Sequence, residues 1–133
     1  MKLITRETDY AIRALNYIAC NEDRTISITE LVKELETPKP FLRKILQLLS
    51  INGIVQSYRG KNGGFVLARE PDKIFLLDLM QVFQGKFKIS ECIFKKNTCP
   101  DQQYCLLKNE IDSIEKMVLE KISSITLKSL KKD

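Results

Sequence analysis

The fold is decided by residues 27–68, which read SITELVKELETPKPFLRKILQLLSINGIVQSYRGKNGGFVLA. Ser27 and Glu30 have the spacing of a capping box, in which a hydroxyl and a carboxylate bond the N–H groups that the first turn of a helix leaves unpaired. Apolar residues follow at helical spacing, namely Ile28, Leu31, Val32 and Leu35. A helix is therefore predicted to begin at Ser27.

A second helix is predicted after a turn that contains prolines. Pro38 disfavours helical backbone at Thr37, and Pro40 fits the first turn of a helix, where its missing N–H is not needed. Asn52-Gly53 supplies a C-terminal stop. The apolar side carries Leu42, Ile45, Leu46 and Leu49, and the other side carries Arg43, Lys44, Gln47 and Ser50. Two short helices joined by a tight turn, the second with a basic side, indicate a helix-turn-helix.

A β-hairpin is predicted next, with strands at residues 54–58 and 65–68. The loop between them reads Arg59-Gly60-Lys61-Asn62-Gly63-Gly64, and its Asn-Gly pair accepts the positive φ of a tight turn. A hairpin that follows a helix-turn-helix is a wing. Because Arg59 and Lys61 lie at its tip, the wing suits a minor groove or phosphates.

Basic residues are concentrated in the same part of the chain. The net charge is +5 with a pI near 9.0, and no acidic residue occurs between positions 37 and 69. That stretch contains Lys39, Arg43, Lys44, Arg59, Lys61 and Arg69. The pattern favours an anionic partner over a solvated basic face, and double-stranded DNA fits a helix-turn-helix. We expect Lys39, Pro40, Arg43, Lys44 and Gln47 at or near the major groove, and Arg59 and Lys61 at the groove or backbone beside the wing.

Three further helices are predicted outside this region. One covers residues 5–20, with Cys20 interpreted as a buried thiol on its apolar side. Another follows Pro71-Asp72 and ends at Gly85. The last is long, and its near-heptad seam consists of Leu107, Ile111, Ile114, Val118, Ile122 and Ile125. The helix could pack onto its own domain, but so small a core does not require a helix of this length. We therefore favour a helix that joins two subunits, which suits a palindromic DNA site.

The predicted fold class is mostly α with a small β-wing. Residues 1–70 form a winged helix-turn-helix, and residues 71–133 add a cysteine loop and a long C-terminal dimerisation helix to the same compact unit. The 133 residues are 44% hydrophobic with a mean hydropathy of -0.17, as expected of one soluble domain. We find no apolar run of membrane-spanning length and no signal peptide, so a cytoplasmic protein is expected.

Two absences argue against an enzyme. The chain has no histidine, which excludes Ser-His-Asp triads and imidazole metal ligands. It also lacks the glycine-rich phosphate-binding motifs, and no pair of groups resembles an acid–base couple.

Three cysteines fall in one aperiodic stretch as C-x6-C-x5-C, at Cys92, Cys99 and Cys105. The spacing lacks the C-x2–4-C knuckle of structural zinc sites, and thiolates spaced in this way can converge on an iron–sulfur cluster. Two alternatives stay open. One is a cluster-free regulator of the same fold that uses the thiols as sensors or binds zinc. The other is a small electron-transfer protein whose basic stretch binds an acidic partner protein.

The order of elements, the wing motif Arg59-Gly60-x-x-Gly63-Gly64-Phe65-x-Leu67 and the three-cysteine loop together resemble the winged-helix bacterial transcription regulators of the IscR/NsrR/CymR family. The resemblance covers essentially the whole chain, from Thr8-Asp9-Tyr10-Ala11 to Ile125-Thr126-Leu127. It implies a homodimeric DNA-binding regulator that senses redox state, nitric oxide or iron–sulfur status. Some relatives sense by thiol chemistry or partner binding instead.

The resemblance also implies a ligand set. In this family three cysteines of each subunit hold a [2Fe–2S] or [4Fe–4S] cluster. IscR-like members add a histidine, which this chain lacks, whereas NsrR-like members use an aspartate of the partner subunit. Asp9 matches that context and is the candidate fourth ligand, with Glu7 as the runner-up.

Overall fold

The computed structural model describes residues 2–89 and 105–131. The elements are, in order, α1 (Arg6–Cys20), α2 (Ile28–Leu35), α3 (Lys39–Ile51), β1 (Val55–Tyr58), β2 (Gly64–Leu67), a short 3-10 helix (Pro71–Lys73), α4 (Leu76–Gln84), α5 (Leu106–Ser123) and α6 (Leu127–Leu130). The two strands form an antiparallel sheet. The predicted class, mostly α with a small β-wing, is confirmed.

Of the two hydrogen bonds predicted for the α2 capping box, only the one to the Ser27 hydroxyl forms. The Ser27 hydroxyl accepts a hydrogen bond from the Glu30 N–H at 3.1 Å, so α2 begins as expected. The Glu30 side chain does not complete the box. Its carboxylate accepts hydrogen bonds from Arg24, at 2.7 and 2.6 Å, and from the Tyr17 hydroxyl. A bidentate guanidinium is a stronger donor than a backbone amide, so the carboxylate turns toward Arg24.

The helix-turn-helix forms as predicted, with an unexpected residue in its turn. Glu36 takes the left-handed conformation, at φ 49°, in a turn where glycine is more usual. Helix α3 then starts at Lys39 with Pro40 in its first turn, and Gly53, at φ 71°, follows its C-cap. The predicted apolar side is confirmed, because Leu42, Ile45, Leu46 and Leu49 are at most 1% exposed.

The core is centred on α1, which packs against α2, α3, α4 and α6. Its buried face consists of Thr8, Ala11, Ala14, Leu15, Ile18 and Ala19. The prediction of a buried thiol at Cys20 is wrong, since that residue is exposed. Cys20 follows Ala19 at the end of α1, and the helical step of about 100° per residue carries its side chain away from the core.

The long helix near the C-terminus ends earlier than predicted. Helix α5 ends at Ser123, so Ile125 lies beyond it, in the segment that pairs Thr126 with Phe75. Thr126 then caps α6 through a capping box with Ser129. The predicted apolar seam has two parts with different surroundings. Val118, Ile122 and Ile125 pack with Leu76 and Met80 of α4. By contrast, Leu107 and Ile114 are 72% and 49% exposed. No helix in the described ranges has the length and apolar content to span a bilayer.

Candidate nucleic-acid interface

The solvent side of α3 carries all five residues predicted to face DNA. Lys39, Pro40, Arg43, Lys44 and Gln47 are exposed. They face solvent because the apolar residues of α3 take the opposite side of the helix against α1 and α2. The local sequence therefore produces a helix with one buried face and one basic, hydrogen-bonding face.

The hairpin places the other two predicted residues, Arg59 and Lys61, at an exposed tip. Its turn differs in detail from the prediction, because the positive φ values fall at Gly60 (93°) and Asn62 (67°) and not at an Asn62-Gly63 pair. Only glycine fits at position 63, because a Cβ on Gly63 would lie 2.4 Å from the Tyr58 carbonyl oxygen.

The base of the hairpin is fixed to the start of α2. The Phe65 N–H donates to the Ile26 carbonyl at 2.8 Å, and the Ile26 N–H donates back to the Phe65 carbonyl at 3.0 Å. A Cβ on Gly64 would lie 2.3 Å from the Ile26 carbonyl oxygen, so only glycine permits this approach. We call residues 26–67, which comprise α2, α3 and the hairpin, the reading head.

One cation of the basic stretch has a structural role. The Arg69 guanidinium donates to the Asn52 carbonyl at 3.2 Å and lies 4.0 Å from the Asp78 carboxylate. It thereby ties the end of the hairpin to the C-cap of α3 and to α4. Arg69 is thus engaged in contacts within the chain, in contrast to the proposed DNA-facing cations of α3 and the wing tip.

A stacked cluster between α1 and α3 was not predicted from the sequence. The rings of Tyr10 and Phe41 meet edge to face with centroids 5.6 Å apart. The Arg6 guanidinium lies 5.0 Å from the centroid of Phe41 and 5.7 Å from that of Tyr10. No local pattern could have indicated the cluster, because its residues come from helices distant in the sequence.

The first turn of α1, which carries Asp9, is fastened to the end of α4 by Gln84. The Gln84 side-chain oxygen accepts hydrogen bonds from the Thr5 N–H at 3.0 Å and the Thr8 hydroxyl at 2.8 Å, and its amide nitrogen donates to the Leu3 carbonyl at 3.0 Å. Asp9 itself is half exposed and pairs with Arg13 at 3.2 Å.

Of the three candidate cysteine ligands, Cys92 and Cys99 lie outside the described residues. Cys105 is the N-cap of α5, and its Sγ accepts a hydrogen bond from the Lys108 N–H at 3.4 Å. Within residues 2–89 and 105–131, no three acidic or cysteine side chains are grouped closely enough to hold a metal ion.

The Tyr17–Arg24–Glu30 cluster is the site of the clearest electrostatic effects in the described ranges. The Arg24 guanidinium, with help from the Tyr17 hydroxyl, lowers the pKa of Glu30 from 4.5 to about 2. The hydrogen bond to Glu30 in turn raises the pKa of Tyr17. The cluster joins α1 to α2, so it supports the reading head.

Comparison with known proteins decides the family. The sequence profile of the Rrf2 family, described as an iron-dependent transcriptional regulator, matches residues 4–133. The chain belongs to the Rrf2 family. The HTH-type transcriptional regulator NsrR of Bacillus subtilis is 30% identical to it over 135 residues, which covers 100% of this chain and 92% of that protein.

Solved structures share the fold over nearly the whole chain. CymR, the global cysteine regulator of B. subtilis, superimposes with a TM-score of 0.77 at 24% identity, covering 98% of this chain and 96% of that one. IscR of T. potens gives a TM-score of 0.73 at 24% identity, covering 98% and 85%. The predicted resemblance is therefore confirmed, and this Rrf2 protein is a transcription regulator with a DNA-binding winged helix.

Proposed function

We propose that this Rrf2 protein is a homodimer that binds a palindromic operator, and that its affinity depends on an iron–sulfur cluster. The observation that carries the proposal is the exposed basic face of α3 with a cationic wing tip anchored to the same reading head. Electrostatic attraction to phosphates supplies most non-specific affinity, and base-edge contacts from the same surface supply specificity.

Individual roles follow from side-chain chemistry. Lys39 and Lys44 carry point charges suited to phosphates, whereas the Arg43 guanidinium can bond both acceptors of a guanine edge. The Gln47 amide, one turn further along α3, can pair with adenine. Arg59 and Lys61 extend the surface to the neighbouring groove or backbone, and Pro40 places the first turn of α3 close to the DNA.

The test of DNA binding is selection of operator fragments from genomic DNA, followed by titration of each variant by fluorescence anisotropy. Arg43→Ala is expected to lose about 1–3 kcal/mol of preference for its base pair. Arg59→Ala is expected to weaken specific binding while the domain stays folded. Lys128→Gln, an exposed charge change on α6, serves as the control. Unchanged operator affinity in both arginine variants would contradict the proposed surface.

The proposed dimer uses the uncovered part of α5, residues 106–117. Four large apolar side chains there are exposed, namely Leu106 (79%), Leu107 (72%), Met117 (67%) and Ile114 (49%). Large exposed apolar side chains grouped on one helix are typical of a protein interface. A second copy of the chain is the proposed occupant, because two reading heads related by a two-fold axis match a palindromic operator.

The proposed cluster ligands are Cys92, Cys99 and Cys105, with the partner subunit's Asp9 as the fourth. Thiolates suit iron–sulfur clusters, and the Lys108 N–H that bonds the Cys105 Sγ is the kind of donor that tunes such ligands. When bound, the cluster would supply iron that reacts with oxidants or nitric oxide. Gln84 would hold the turn that carries Asp9 in a fixed place, and Arg13 would compete with iron for the carboxylate.

Anaerobic purification tests the cluster directly. Brown protein that contains iron and sulfide, with visible absorption that changes in Asp9→Asn, supports it. Coupling between the cluster and DNA is expected to change operator affinity by about 5–150-fold between apo and loaded protein. Equal affinities would reject the switch, although DNA binding itself would stand.

A cluster-free regulator is the second candidate, and the likeness in fold to CymR, named as a cysteine regulator, favours it. In that case Cys92, Cys99 or Cys105 would act as thiol sensors or hold zinc. Colourless protein from anaerobic cells, with zinc or no metal, would select this candidate.

A further inference from the structure

We propose that Arg6 contacts a DNA phosphate and so extends the binding surface from α3 onto α1. The proposal rests on the DNA binding proposed above but adds a residue that lies outside the helix-turn-helix and the wing. It follows from three properties of Arg6, which are its place beside α3, its unpaired charge and its restricted side chain.

The place of Arg6 is set by an aromatic platform. Its guanidinium lies 5.0 Å from the centroid of Phe41, the residue that follows Pro40 in α3. Lys44 is three residues beyond Phe41 and therefore its neighbour on the helix surface. The ring thus brings a cation of α1 to the edge of the basic face of α3.

The charge of Arg6 is available to a partner. Arg6 is exposed, and in the described part of the chain no carboxylate lies within ion-pair distance of it. Arg13, on the same helix, provides the contrast, because Asp9 neutralises it at 3.2 Å. Stacking on a ring leaves the N–H groups at the edge of a guanidinium free to bond the oxygens of a phosphate.

Helix formation does not explain an arginine at this position. Cations in the first turn of a helix face the positive end of its dipole, which favours acidic residues such as Glu7 and Asp9. The two rings stabilise the cation through their faces and restrict its rotamers. A side chain that is already ordered loses less conformational entropy when it binds a phosphate.

The experiment compares Arg6→Gln with Lys128→Gln, which removes the same charge from an exposed site on α6. A selected operator fragment is titrated by fluorescence anisotropy at several salt concentrations. If each Arg6 of the proposed dimer neutralises one phosphate, Arg6→Gln should reduce the slope of log K against log salt by about 1.8, and affinity at 0.1 M salt by about 60-fold. Preference among operator bases should not change, since a bond to phosphate carries no sequence information.

Arg6→Lys separates charge from packing. It keeps the cation but not the planar stack, so it should restore the salt slope while recovering only part of the affinity. Melting temperatures within about 2 °C of wild type would show that the variants are folded. If wild-type protein binds operator DNA and Arg6→Gln has the wild-type salt slope, the Arg6 proposal is overturned and the DNA-binding proposal survives. If wild-type protein binds no DNA, both are overturned.

Discussion

Helices α3 and α5 have similar amphipathic patterns but different surroundings. Helix α3 has 13 residues and buries four apolar side chains to 1% exposure or less. Helix α5 has 18 residues, of which only Ile122 is buried in the described structure, and four large apolar side chains between positions 106 and 117 are exposed to solvent. Periodicity indicates that a helix has a face to bury, but it does not identify what covers that face. In α3 the cover is the chain itself, and in α5 we propose a second chain.

The largest effect is expected from a charge placed among the exposed apolar residues of α5, because it would disrupt the proposed dimer interface. Ile114→Asp would put an unpaired carboxylate in each half of the proposed interface, and such a charge costs about 3–5 kcal/mol when buried. The dimer dissociation constant should therefore rise by more than about 100-fold, as measured by sedimentation equilibrium.

Lys116→Gln is the matched control for that experiment. It makes the same change in net charge two residues further along, about 200° around the helix from Ile114. The control should keep the wild-type association, and both variants should keep their helical circular dichroism. An Ile114→Asp protein that sediments as a dimer would mean that another surface joins the subunits.

Two leucine-to-alanine substitutions compare the packing of α3 and α5 within one subunit. In the monomeric Ile114→Asp background, Leu46→Ala should lower the free energy of unfolding by about 2–5 kcal/mol, because it leaves a cavity in the reading head. Leu107→Ala, at a site 72% exposed, should change it by less than about 0.5 kcal/mol. Urea unfolding measures both. Similar losses in the two variants would show that Leu107 packs within its own chain.

Lowering the pH should reduce the free energy of unfolding, because it protonates the Glu30 carboxylate that supports the reading head. Its folded pKa of about 2 lies below the ordinary 4.5, so its contribution to stability is complete above about pH 4.5 and is lost as the pH falls toward 2. The stability difference between wild type and Glu30→Gln should shrink over that range in urea unfolding. Asp112→Asn breaks the exposed Lys108–Asp112 pair of α5 and should cost less than about 0.5 kcal/mol at neutral pH. A constant difference between wild type and Glu30→Gln from pH 7 to 3 would contradict the assignment.

Local rules were sufficient for the helix boundaries and the buried side of α3 in the reading head. Ser27, Pro40 and Gly53 mark the helix boundaries by backbone chemistry that acts within a few residues, and the leucines of α3 lie on the predicted side. The family resemblance extended the fold to the whole chain. The roles predicted for Lys39, Arg43 and the other proposed DNA contacts stay predictions, as do the cluster ligands and the partner subunit's Asp9.

Two of the errors arose where residues outside the helix concerned compete with the local pattern. Glu30 suits a capping box, but Arg24 and Tyr17 bind its carboxylate. Ile125 continues the spacing of α5, but the chain leaves the helix to pair Thr126 with Phe75. The contact of Arg6 with Phe41 requires α1 to cross α3 at one particular point, and such a crossing is set by the packed core rather than by either helix.

The contact between Gly64 and Ile26 limits which substitutions this regulator can accept during evolution. The position of the wing relative to the start of α2 is set by backbone atoms at the root of the hairpin, where no side chain can be inserted. If the wing contacts DNA as proposed, substitutions at its tip would alter which bases are favoured without moving the root of the hairpin. The position of the hairpin depends on a glycine and a carbonyl oxygen, whereas the proposed base preference depends on Arg59 and Lys61.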